Sequence, residues 1–499
     1  MGTKMTHSTN TQTHALPLSY FTAKPGYHWF VVGTVCIGAF MAALDGSIIT
    51  VALPTMERQF HVGFSVTAWV PLAYLLTLTA LLAVFGRLAD IVGRRPLYSF
   101  GFSVFIVGSA LCGAAPNMTF LISSRVLQAI GAVMLQANSV AIVTAAAPPE
   151  QRGKAIGIQG SALAVGLSLG PAIGGLLIAA FGWRAIFYVN VPVGIIGTTL
   201  ALLILPRDTD RDLSGKSHFD YWGGITLAIA LVGLLYGFNQ GNDQGWTSPV
   251  ILGSLIVGAI FVAIFISIER RHSSPIMDLS LFRIDQITWG NITGALSYAL
   301  MYGVLFIVPY FFEGVLHRPA SESGLLTTPL PIGMMVLAPV AGRIADRFGS
   351  KLPTVVGMAV STLGAAAMIL VTPGTSYVYI IVALLLVGVG MGIFTPPNNS
   401  SVMGSSPKNR LGVSSGVLNM ARSLGQSVGI AYAFAIFQGI LLHEGYLPQN
   451  APVTPLVNGF RVTFIAVTVL GIVAFLISLL RGNVEKPQDL PPELQAMDV

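Results

Sequence analysis

Fourteen stretches of this chain are long and apolar enough to cross a lipid bilayer. A spanning helix needs about 20 mostly apolar residues. Runs of that kind lie near 29–52, 66–86, 97–114, 118–142, 155–180 and 186–205. Two more lie near 222–240 and 249–268, and six near 288–312, 325–344, 354–372, 377–399, 412–440 and 459–480. In lipid every backbone polar group must be bonded within its own segment, so each run is predicted as a helix. Only 9% of the 499 residues are charged, against about 25% in soluble proteins. Most of the surface must therefore face something other than water.

Charge placement fixes the expected orientation. With both chain ends in the cytoplasm, 20 of the 26 basic residues fall in cytoplasmic segments. Only Arg58, Arg184, Arg318 and Arg461 fall in outer loops, while Arg125 and Arg422 fall inside spans. This bias predicts an even number of spans and two cytoplasmic ends. The net charge of +6 does not indicate nucleic acid, because the basic residues sit in short clusters between apolar runs. The six tryptophans (29, 69, 183, 222, 246 and 289) fall near span ends, as an interfacial belt would. Cys36 and Cys112 lie within apolar runs, so no disulfide framework is expected. Residues 1–28 and 481–499 read as cytoplasmic tails, the first without the features of a signal peptide.

The chain also repeats itself. Gly86-Arg-Leu-Ala-Asp90 follows the second span and Gly342-Arg-Ile-Ala-Asp346 follows the tenth, 256 residues later. Ser168-Leu-Gly170 is echoed by Ser423-Leu-Gly425 at an offset of 255 residues. A duplication relates spans 1–6 to spans 9–14. The expected organisation is a six-helix half over 29–205, a linker with two extra spans over 206–287, and a second six-helix half over 288–480. The fold class is an all-α polytopic membrane protein with 14 transmembrane helices. Two such halves place a site near the midplane, at their interface.

Asp45 is the one acidic residue well inside an expected span. A charge at that depth costs at least about 2.5–3.5 kcal/mol and is rarely kept without use. It reads as a proton-binding carboxylate or as a permanent salt bridge. Arg125 is its natural partner, since each lies seven residues from the outer end of its run, about 10 Å below the surface. Gln128, Gln136 and Ser139 share the Arg125 face of the fourth span within about 80°. Such a stripe faces a cavity or bonds a neighbouring helix. Arg422, midway along span thirteen, either binds an anionic group or a helix end, or anchors the structure. Gln128, Gln136, Tyr302, Asn398 and Arg422 are the candidate cavity residues.

Gly166, Gly170 and Gly174 recur at intervals of four, with Gly175 and Pro171 beside them. Glycines so spaced let a neighbouring backbone approach, and the proline invites a bend. The loop from Gly86 through Asp90, Gly93 and Arg94 is a tight turn with fixed charges. Asp90 opposes the charge rule and recurs at Asp346, which suggests a charge latch between the halves.

Enzyme-like strings fail on context. Gly166-Leu-Ser168-Leu-Gly170 and Gly412-Val-Ser414-Ser-Gly416 match G-x-S-x-G, but no strand precedes either. No intact ATP-binding motif or Cys/His metal cluster occurs. No cofactor or metal is expected, the chain does not read as an enzyme, and an ion gradient is the expected energy source.

These residues resemble the major facilitator superfamily, specifically its fourteen-span drug:proton antiporter branch, over about residues 29–480. The 166–175 string is similar in full to the branch's antiporter motif. Residues 86–96 resemble the loop motif, with Ile91 where a basic residue is usual. Leu44 to Pro54 is similar to the first-helix signature, with Ser47 and Thr50 as departures. Arg125-Val-Leu-Gln128 resembles the fourth-helix motif, followed by Ala129 where glycine is typical. Gly182 to Pro192 also looks like this branch. The resemblance implies that Asp45 couples protons and that Arg125 is its basic neighbour. It implies export of a small amphiphilic substrate in exchange for protons and admits an accessory export partner, while the short loops fit a bacterial inner membrane. A specific metabolite or lipid, or nutrient symport, fits the same fold. No second-half acid lies well inside an expected span, Glu313 being only at the outer end of the ninth, which argues against divalent cationic drugs.

Overall fold

The computed structural model describes residues 24, 26–148, 152–206, 220–272, 279–406, 411–447 and 451–480. The expected tails, apart from 24 and 26–28, lie outside these residues, as does most of the basic linker after residue 206. Fourteen helical stretches among them are long and apolar enough to cross a membrane.

The first half contains α1 (Tyr27–Phe60), α2 (Phe64–Val92), α3 (Arg94–Gly113), α4 (Met118–Ala146) and α5 (Arg152–Phe181). Its sixth span is made of α6 (Ala185–Tyr188) and α7 (Asn190–Ile204). A hairpin of α8 (Tyr221–Gln244) and α9 (Pro249–Glu269) follows. The second half opens with α10 (Asp285–Tyr310), which ends in a π-turn over Phe311–Val315. The tenth span is α11 (Ala320–Thr327) with α12 (Pro329–Phe348). Then come α13 (Lys351–Met368), α14 (Tyr377–Gly404), α15 (Leu411–His443) and α16 (Val453–Leu480).

α1 corrects the expected boundary. It runs through Pro54 to Phe60, beyond the expected end at 52. Proline usually interrupts a helix, but packing in a membrane protein can compensate the lost hydrogen bond. Here Leu53, Pro54, Met56 and Glu57 are all buried. Trp183 fastens the extension: its indole Nε1 donates to Gln59 Oε1 at 2.6 Å, and its ring meets Phe60 edge-on at 5.4 Å. Trp183 is 1% exposed, so it belongs to the core and not to the expected interfacial belt.

α1 packs along α5 and α4 against α2 and α3, while α10 packs along α15 and α14 lies between α12 and α13. The extra hairpin lies over the seam, because α8 touches both α2 and α15. Its partner α9 is mostly exposed, with Ile256, Ile260 and Val250 pointing outward, as a helix facing lipid would present them.

With fourteen candidate spans, the start of α1 and the end of α16 lie at one face of the described structure, here called proximal. The halves meet tightly at the opposite, distal face. A Cβ added to Gly324 of α11 would overlap the Pro171 carbonyl oxygen, and one on Gly175 would lie 2.9 Å from the Ser321 Cα. Phe64, at the start of α2, stacks on Phe434 of α15 at 5.0 Å and meets Tyr310 of α10 edge-on at 4.5 Å. Near the proximal face, a Cβ on Gly86, Gly160, Gly342 or Gly404 would meet nothing within 4 Å.

This contrast separates two substitutions. At Gly170 a Cβ would collide with the Ser47 side chain, which lies under the close α1–α5 crossing. Gly170→Ala should lower stability by about 1–3 kcal/mol through overpacking. Gly160→Ala, in open space on the same helix, should not. Thermal unfolding of the purified protein in detergent, read side by side for the two variants, is the check.

Candidate functional site

Asp45 is fully buried in α1, and five helices send side chains to or around it. Its Oδ2 accepts from Arg125 Nη1 of α4 at 2.6 Å. Its Oδ1 accepts from Gln128 Nε2 at 2.8 Å and from Asn190 Nδ2, at the start of α7, at 3.0 Å. Both carboxylate oxygens are thus occupied, and charge-assisted bonds of this kind are about twice as strong as neutral ones.

The surrounding groups hold the donors in place. Arg125 Nη1 also donates to Gln128 Oε1 at 2.7 Å, and its Nε to the Val70 carbonyl of α2 at 3.3 Å. The guanidinium carbon sits 4.2 Å from the centre of the Tyr74 ring and 5.8 Å from that of Phe187. Asn190 Nδ2 lies 3.2 Å from Ser109 Oγ of α3, whose hydroxyl donates to the Phe187 carbonyl at 2.8 Å. Arg125 and Gln128 are one turn apart on α4, so a single helix face presents both. Arg125 Nη2 and the Tyr74 hydroxyl are buried without a hydrogen-bond partner among the described residues.

Tyr74 stands between this cluster and a narrow cavity at the junction of the halves. Gly46, Tyr74 and Gln136 line it from the first half, and Tyr298, Tyr302 and Arg422 from the second. Asp45 and Arg125 do not line it. The polar stripe of α4 therefore divides: Arg125 and Gln128 enter the buried cluster, Gln136 faces the cavity, and Ser139 accepts from Gln159 of α5 at 2.7 Å. Asn398 borders a smaller pocket with Tyr298 and Arg422, and its amide donates to the Gly290 carbonyl at 3.0 Å.

The glycine string is a packing seam. Gly166, Gly170 and Gly174 lie against Phe40, Ser47 and Ile48 of α1, while Gly175 and Pro171 reach α11 of the other half. Gly93 holds the turn between α2 and α3 at φ 103°, and Arg94 begins α3 half-buried. Gly86 is half-buried with open space beside it. The side chains of Asp90 and Asp346, the expected latch, lie outside the described residues.

Three features escaped the sequence reading. Asn190 completes the Asp45 cage, although as a neutral amide at a span end it carries no depth signal. Tyr74 divides the cage from the cavity. At the distal face, Glu313 Oε2 pairs with Arg58 Nη2 across the halves at 2.8 Å, the Glu313 side chain being 1% exposed. Arg58, expected in an outer loop, sits on the extended α1 and so reaches it.

Comparison with known proteins now bears on this arrangement. The family description "Major Facilitator Superfamily" matches residues 35–430. The chain belongs to the Major Facilitator Superfamily. It is 35% identical over 418 residues to the riboflavin transporter RibZ of Clostridioides difficile, covering 83% of this chain and 90% of that one. It is 33% identical over 396 residues to the multidrug resistance protein Stp of Mycobacterium tuberculosis, covering 79% and 73%. A crystal structure of a bacterial homolog to the human lysosomal transporter Spinster, inward-facing and unoccupied, shares the fold with a TM-score of 0.64 at 17% identity, covering 92% and 98%. This superfamily member is therefore a membrane transporter in the fourteen-span branch, and not an enzyme.

The cage makes a stability prediction. Arg125→Met should destabilise this transporter by about 3–5 kcal/mol, because it leaves the Asp45 charge buried without a cation. Adding Asp45→Asn should restore most of the loss. A single-variant loss that the second substitution does not relieve, measured by unfolding in detergent, would show that the two residues do not act as a pair.

Proposed function

We propose that this transporter exports small amphiphilic molecules in exchange for protons, and that Asp45 carries the proton. The observation that carries the reading is the enclosed Asp45 carboxylate, held by Arg125, Gln128 and Asn190 just behind the wall of the interface cavity. A carboxylate so placed has both oxygens engaged while its donors are in place and is opened to a new partner when they part.

The proximal face is taken as cytoplasmic, following the bias of basic residues. Substrate enters there or from the inner leaflet while the distal face is shut. Rocking of the halves parts α5 from α11 and α2 from α15. Because α2 supplies both Tyr74 and the Val70 carbonyl to Arg125, this motion disturbs the cage. A proton from outside then neutralises Asp45, and substrate leaves. The halves close again, Arg125 re-pairs with Asp45, and the proton passes inward. One midplane carboxylate corresponds to one proton per cycle, and each charge moved inward yields about 2.3 kcal/mol per 100 mV.

The likeness to a riboflavin transporter, together with Tyr74, Tyr298 and Tyr302 around the cavity, supports a second reading in which the cargo is one flat metabolite. A single experiment addresses both. Liposomes with an acidic interior and a pH-sensitive dye receive riboflavin, neutral drugs or lipophilic cations. Collapse of the gradient in wild type, absent in Asp45→Asn, is expected. Equal activity of the variant would make Asp45 structural and end the proton-carrier reading.

A further inference from the structure

Among the described residues, one formally charged side chain lines the interface cavity, and that charge is positive. Arg422 projects from α15 into it and also borders the smaller pocket beside Asn398. Among the described residues, no acidic side chain lines either space. Asp45 is withheld, because both its oxygens are bonded and Tyr74 closes the way to it.

Arg422 is also unspent. Its guanidinium carbon lies 5.2 Å from the centre of the Tyr298 ring, and among the described residues no carboxylate, carbonyl or hydroxyl accepts a hydrogen bond from it. This distinguishes it from Arg125, whose charge is answered within the protein. A structural anchor would have acceptors. Arg422 instead keeps its donor fork for whatever enters, and a guanidinium fork matches a planar acceptor edge. Around it the side-chain amides of Gln136 and Asn419 likewise have no partner among the described residues. Tyr298 and Tyr302 supply aromatic walls, which suit flat rings.

The geometry points to flat aromatic cargo whose edge accepts hydrogen bonds, through ring carbonyls or a carboxylate, with Arg422 binding that edge and repelling cations. This rests on the transporter reading above and names its substrate class. It does not depend on how protons are coupled. A cation entering the cavity would face Arg422 with no carboxylate exposed to offset it, and would lose the donors that an acceptor edge engages.

The test is equilibrium binding to the purified full chain in detergent without a proton gradient, read by fluorescence polarisation or by quenching. Fluorescein and rhodamine 6G share a xanthene ring system and carry opposite charge, while coumarin offers a neutral ring carbonyl. Wild type should bind fluorescein or coumarin at least about tenfold more tightly than rhodamine 6G, the effect of one hydrogen bond to a charged group. Which of the two binds tells a carboxylate edge from a ring carbonyl. Arg422→Gln should erase the preference. Arg422→Lys, which keeps charge but not the fork, should still disfavour rhodamine 6G while losing affinity for the acceptor probe, and it carries the test if the glutamine variant does not fold. Rhodamine 6G binding as tightly as both other probes, no binding of either acceptor probe, or a preference unchanged in the Arg422 variants would overturn the assignment. Because binding is read without a proton gradient, a failure of proton coupling is read separately from a failure of this substrate class.

Discussion

A carboxylate in the middle of a membrane protein has to be answered, and the answer given to Asp45 organises the first half of this molecule. Arg125 provides the charge, Gln128 and Asn190 the remaining donors, and Val70, Ser109 and Phe187 hold those donors in place. Helices α1, α2, α3, α4, α6 and α7 must all be in register for the cage to close. A buried ion pair adds little net stability over an apolar packing of the same shape, but breaking it is costly. Such a pair suits a protein that must hold one arrangement firmly and then leave it.

The same cage decides what the cavity offers. Because Asp45 is bonded behind Tyr74, the midplane space presents Arg422 and neutral amides and, among the described residues, no acid. Arg125 and Arg422 thus have different surroundings: one is neutralised in the fold, the other meets the cavity. The distal face is closed by unlike contacts in parallel. These are the Phe64 ring cluster, the backbone approach of Gly324 to Pro171, and the Arg58–Glu313 bridge. All three cross between the halves, so rocking has to break them together. This cooperation fits a gate better than it fits independent surface contacts.

Much of this was legible in the sequence because lipid leaves few choices. Apolar runs of bilayer length have to be helices, and the repeated Gly-Arg-x-Ala-Asp string exposes the duplication without any structure. The pairing of Asp45 with Arg125 could be read from depth, since few charges lie within the spans. Other features had no comparable signal. Pro54, Glu57 and Arg58 look like a loop on local preference, and only packing against Trp183 and the second half keeps them helical. Trp183 sits near a span end as interfacial tryptophans do, and its burial is a tertiary fact. Asn190 is short and neutral, so nothing in its neighbourhood marks it as a donor to a residue 145 positions away. The unpaired state of Arg422 is a matter of what does not approach it, which a linear sequence does not record.

The central claim is that Asp45 changes protonation during the working cycle. Infrared difference spectra of the protein in lipid, recorded across the pH range where it transports, test this most directly when wild type is set against Asp45→Asn. The account expects a protonated-carboxyl stretch that grows on acidification in wild type and is missing from the variant. Superimposable spectra, with Asp45 remaining a carboxylate at every pH that supports transport, would mean that the Asp45–Arg125 pair is a permanent strut and that the coupling proton travels elsewhere.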